Sequence, residues 1–170
     1  MEKIITYKLF EAKKRIPRIP IKKTIDLEEK FKGIANDVLS ELKDIDNGFS
    51  WNIYNHGTTW EIDIYYKGDI NIGSHYYPEY KKTFKWETVK ETISMLVNYL
   101  EDIFPKCTFN GFRASLNWKE NAIKNKLRLA PDERIVKAYN LGSFMNKLED
   151  NIYLDRISLT SLVRFRGKIT

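Results

Sequence analysis

Asp63, Glu79 and Lys81 come nearest to a catalytic set in this chain. Two carboxylates supply hard oxygen ligands for Mg²⁺. A lysine close to the second can position or activate an attacking water. Such a trio would serve metal-dependent nucleolytic hydrolysis. Other chemistries have less to stand on. His56 and His75 have no partner at catalytic or ligand spacing. With the single cysteine, Cys107, they fall short of the four N/S ligands of a structural zinc site. The sequence has no Gly-rich phosphate loop and no nucleophile-elbow pattern. The expectation is a chain without catalytic residues, metal or cofactor, with Mg²⁺ needed only if Asp63, Glu79 and Lys81 converge.

A second group of residues suits binding. Lys13, Lys14, Arg15, Arg18, Lys22 and Lys23 interleave with Ile16, Ile19 and Ile21. Pro17 and Pro20 forbid a helix interior there and favour an extended, polyproline-like arm. Such an arm can lie on phosphates or in an acidic groove, or it can be a solvated connector pinned by its isoleucines. Lys81, Lys82 and Lys85 precede the second long helix, where cations could also meet phosphates. Tyr54 and Tyr65 alternate out of phase with Trp51 and Trp60. They therefore share a face with Asn52, Glu61 and Asp63. Tyrosines among polar groups make a binding surface for bases or for a protein.

These side chains need elements to hold them. Residues 1–12 alternate like a short strand. Asp26 with Glu29 reads as a capping box, and Leu27, Phe31, Ile34, Val38, Leu42 and Ile45 recur at helical spacing to about residue 44. Phe49–Tyr54 and Trp60–Tyr66 alternate as two strands around an Asn55-His56-Gly57 turn. Ile70–Trp86 reads as a third, irregular strand. Thr88 with Glu91 predicts the cap of a helix that ends at Pro105. Cys107–Trp118 predicts a fourth strand with Gly111 as a bulge. Residues 119–129 read as a short basic helix or loop, and Pro131 suits a helix start. Ser143 predicts a helix through about Leu154, followed by a strand over Ile157–Phe165 and a basic tail.

The order αβββαβ over residues 26–117, with Asp63 and Glu79-Tyr80-Lys81 in it, resembles the PD-(D/E)xK nuclease family. The resemblance implies a Mg²⁺ site on Asp63 and Glu79, with Lys81 beside the water and Glu28, Glu29 or Glu41 as the helix acid. The stretch departs from the family at Pro78 and at the polar run Ser74-His75-Tyr76-Tyr77 before Glu79. The order over residues 26–104 also resembles, in topology, the double-stranded-RNA-binding domain. That implies a hairpin turn at Asn55-His56-Gly57 and lysines 81, 82, 85 and 90 on phosphates.

Composition bounds the class. The 170 residues carry a net charge of +6, which leans toward a polyanionic partner. No apolar run approaches a membrane span, the N-terminus lacks a signal-peptide pattern, and one cysteine fits a reducing compartment. A cytoplasmic protein is expected. Abundant Lys, Ile, Asn, Tyr and Phe, with no Gln, are the residues of AT-rich codons, common in phages and mobile elements. The fold expected is a single α+β domain: a strand and basic arm over residues 1–25, an αβββαβ core over 26–117 whose antiparallel sheet packs on two long helices, and a helical C-terminal extension over 118–170. The function expected is non-enzymatic binding to nucleic acid or to a nucleic-acid-handling complex, as anti-CRISPR inhibitors do. A direct double-stranded RNA or DNA binder and a metal-dependent nuclease are the alternatives.

Overall fold

The computed structural model describes residues 21–67 and 83–163. Helix α1 spans Ile21–Ile45. It buries Phe31, Ala35, Leu39 and Leu42, spaced by four, four and three residues, while Ile45 is exposed at its end. The backbone is helical from Ile21, so Asp26 lies inside the helix and does not cap it. Lys22 and Lys23 correspondingly stand in a helix and not on an extended arm.

Strands β1 (Phe49–Asn55) and β2 (Thr59–Tyr66) form a hairpin. Its turn places Gly57 at φ +86°, a backbone region that glycine enters without steric cost. Strand β3 is only Phe84–Lys85. Helix α2 runs Trp86–Ile103 and buries Trp86, Val89, Ile93, Leu96, Val97 and Leu100. It begins two residues before Thr88, with Lys85 as its N-cap and no side-chain cap bond, because the apolar stripe already starts at Trp86. Phe104 is its C-cap, just ahead of Pro105.

Strand β4 is Cys107–Leu116, with a register shift against its neighbour between Phe109 and Gly111. Helix α3 (Trp118–Lys124) is capped by Asn117, and a 3₁₀ turn covers Pro131–Arg134. Strand β5 is Ile135–Ala138, and helix α4 is Leu141–Lys147. The cap of α4 is Asn140, whose side chain accepts from the Ser143 N–H at 2.8 Å. Helix does not continue to Leu154, as the sequence had implied. Strand β6 occupies Tyr153–Val163. Its residues Ile157, Leu159, Ser161 and Val163 are buried at a period of two, which only a strand satisfies.

The sheet is antiparallel throughout, in the order β1-β2-β6-β4-β5, with β3 also paired to β6. The α+β class and the sheet packed on two long helices stand as the sequence implied. The C-terminal part carries two short helices and also the central strand. Cores confined to residues 26–117 or 26–104 lack that strand, so neither family resemblance accounts for the sheet order.

Helices α1, α2 and α4 pack on one face. Phe31 meets Trp60 with ring centroids 4.7 Å apart, and Phe144 of α4 meets Trp86 at 5.4 Å and Phe112 at 5.5 Å. The opposite, outer face carries the polar half of each strand. The strand expected over residues 1–12, the arm residues Lys13, Lys14, Arg15 and Arg18, the segment 70–82 and the tail from Arg164 lie outside the described residues. No helix among the described residues is long and apolar enough to cross a membrane.

Candidate functional site

The outer face is built row by row from strand registers. One row runs Asn52, Asp63, Ser158, Arg113 and Lys137 across β1, β2, β6, β4 and β5. The next runs Ser50, Tyr65, Arg156, Ser115 and Ile135. A third runs Tyr54, Glu61, Thr160 and Gly111. Strand alternation alone puts these side chains together, because successive residues point to opposite faces.

Asp63 holds the middle. It is 1% exposed although α1, α2 and α4 lie on the other side of the sheet. One carboxylate oxygen accepts from Arg156 Nη2 and the other from Ser158 Oγ. The hydrogen bond to Asp63 raises the Arg156 guanidinium above its ordinary pKa, against a smaller opposing effect of burial. A buried carboxylate needs such partners, since its desolvation would otherwise go uncompensated.

Around this centre the face is wetter. Tyr54 is 41% exposed and stands by His56, whose Nε2 lies 3.7 Å from Glu61. Tyr65 is half-buried, accepts from Asn52 Nδ2 at 3.2 Å, and has the Lys67 ammonium 5.7 Å from its ring. Arg113 and Lys137, directly opposed on β4 and β5, are exposed and have no carboxylate partner among the described residues. Like charges placed opposite one another weaken a strand pair.

The sequence-derived candidates fall out unevenly. Tyr54 and Tyr65 share the outer face with Asn52, Glu61 and Asp63. Lys85 opposes Tyr153 at the start of β6, three residues along that strand from Arg156 of the Tyr65 row and seven from Thr160 of the Tyr54 row, and its ammonium is 3.1 Å from Glu87, which raises its pKa. Asp63 is placed, but Glu79, Lys81 and Lys82 lie outside the described residues. No group of three His, Cys, Asp or Glu suited to a metal gathers among the described residues. The sequence reasoning missed Arg113, Lys137, Arg156 and Ser158. Alternation of Arg156, Ser158 and Thr160 with Ile157 and Leu159 was the available signal for the last two.

A cleft of about 330 Å³ opens elsewhere, between the segment after α3, β5 and the α4–β6 turn. Leu127, Leu129, Val136 and Leu148 line it beside Lys147 and Glu149. No family model, curated protein or solved structure matches this chain.

Proposed function

We propose that this chain is a small non-enzymatic binding protein whose partner is a nucleic acid or a nucleic-acid-handling complex. The observation that carries the reading is the outer sheet face. It offers exposed Tyr54 and Asn52 on β1 and, on β4 and β5, the cations Arg113 and Lys137, which have no carboxylate partner among the described residues, within a chain of net charge +6. Aromatic and arginine side chains on a flat, partly wet surface are what stacking and phosphate contacts use. The acids of that face oppose such binding less than their number implies, because Asp63 is internally paired. The AT-rich-codon composition supports a phage or mobile-element origin, and so an inhibitor of a host nucleoprotein as the biological form.

The test is a tagged pull-down from a host lysate, split into nuclease-treated and untreated halves. It is run in parallel with a variant carrying Tyr54→Ala and Arg113→Glu. A partner that is a nucleic acid, or a protein complex that handles one, and that is lost with the variant, bears the reading out. Recovery of no such partner, or recovery unchanged by the variant, overturns it.

A further inference from the structure

We propose that the β4–β5 hairpin is a binding track for single-stranded nucleic acid. In it Arg113 and Lys137 take a phosphate, and Trp118, backed by Arg134, presents a stacking surface to a base. This rests on the binding role proposed above and names the ligand class and the part of the face it uses.

Three observations converge on the hairpin. The first is the opposed pair Arg113 and Lys137, both exposed and without a carboxylate among the described residues. Their mutual repulsion costs the strand pair some stability. A phosphate set between them would remove that cost and gain two charge-assisted hydrogen bonds. The second is Trp118, which opens α3 and is 44% exposed. Its indole lies 4.8 Å from the Arg134 guanidinium and 5.6 Å from the Lys119 ammonium. A large ring left this wet, and held in place by cations, matches the platforms on which unpaired bases stack. The third is charge. Between Trp118 and Lys137 the sequence carries six cations against three acids.

The strand register brings these pieces to the same end of the hairpin. Ser115 and Ile135 form the last register pair of the hairpin. Trp118 follows β4 by two residues, and Arg134 directly precedes β5. The cation pair therefore sits about 7 Å of strand rise from the hairpin end that holds the indole–guanidinium stack. A strand running along the hairpin edge meets a phosphate site and then a base site. A duplex cannot offer the base face, because its bases are already stacked and paired.

The test uses the full chain and fluorescein-labelled oligonucleotides of roughly twelve nucleotides, within single-domain site sizes. The probes are an oligothymidylate, an oligouridylate and a duplex of equal length, read by anisotropy across a salt series. A single strand is expected to bind more tightly than the duplex, and the two sugars distinguish DNA from RNA as the source. Arg113→Ala with Lys137→Ala should weaken binding on the order of tenfold and flatten the salt dependence by about one in log–log slope, as loss of one phosphate contact requires. Trp118→Ala should weaken it roughly tenfold and leave the slope unchanged. Thermal melts of each variant establish that the fold is retained. Binding unaffected by all three substitutions overturns the track. If Tyr54→Ala alone abolishes binding, the track also falls, while the binding role of the face stands. If no oligonucleotide binds and the nuclease-treated pull-down still yields a nucleic-acid-handling protein, the track is overturned and the binding role remains. Failure of both experiments removes both.

Discussion

Asp63 is paired in register with Ser158, yet its carboxylate also reaches diagonally across the sheet to Arg156. Arg156 itself stands opposite Tyr65, one step along the strand pair. The diagonal is what lets one buried carboxylate satisfy both its oxygens between β2 and β6. It also removes from the outer face the charge that would most oppose an anionic partner.

Arg156→Ala is expected to destabilise the protein by about 2 kcal/mol, because it strands a buried carboxylate with one donor instead of two. Asp63→Asn should cost less, since it removes the charge while keeping most of the shape. Urea unfolding midpoints of the two variants check the order. Equal and negligible effects would show that the pair is not structural.

Mg²⁺ or Mn²⁺ is expected to leave the melting temperature unchanged. A metal on Asp63 would have to displace Arg156 or Ser158 from an oxygen already in use. A metal-induced rise that Glu79→Ala abolishes would reinstate the nuclease chemistry.

Cys107 is 4% exposed at the start of β4, and burial pushes its thiol up from 9.0 to about 12. The folded state thus holds the proton after the unfolded chain has released it. This contribution to stability is complete below pH 9 and is lost as pH rises from there toward 12. Melting temperatures from pH 8 upward should fall faster for the natural protein than for Cys107→Ala. The native thiol should react with a disulfide reagent at pH 8 far more slowly than the unfolded chain does. Parallel melting curves and a fast native reaction would contradict the placement.

Gly48→Ala is expected to destabilise by about 2 kcal/mol. A Cβ there would collide with the Tyr66 ring. That ring cannot swing away freely, because its hydroxyl donates to Asp46 Oδ1, which also accepts from the Gly48 N–H at 2.9 Å, and its edge packs on Phe49 with centroids 5.2 Å apart. The combined variant Gly48→Ala, Tyr66→Phe should recover part of the loss, since the ring is then free of Asp46. No recovery would place the strain elsewhere.

The sequence by itself determined what repeats locally. Periods near four fixed the core stripes of α1 and α2, although Ala35 and Leu39 proved more central to α1 than Ile45. A period of two fixed that Tyr54, Tyr65 and Asp63 would share one face and Trp60 the other, because side-chain direction in a strand depends only on neighbours. Helix starts were less legible. Asp26-x-x-Glu29 and Thr88-x-x-Glu91 both carry capping chemistry but lie inside helices whose backbone is already helical at Ile21 and at Trp86.

Only the tertiary structure decided what Asp63 would do. Its partner Arg156 is 93 residues away, and the pairing exists because β6 inserts between β2 and β4. No local pattern encodes which strand becomes a neighbour. That choice follows from burying Leu154, Ile157, Leu159 and Val163 at the sheet's centre, under the helices, where the loss of apolar surface to water is greatest. The same insertion sets Arg113 of β4 one strand from the Asp63–Arg156 pair, with Lys137 of β5 beyond it, so the charge pattern of the outer face is a consequence of how the core is filled.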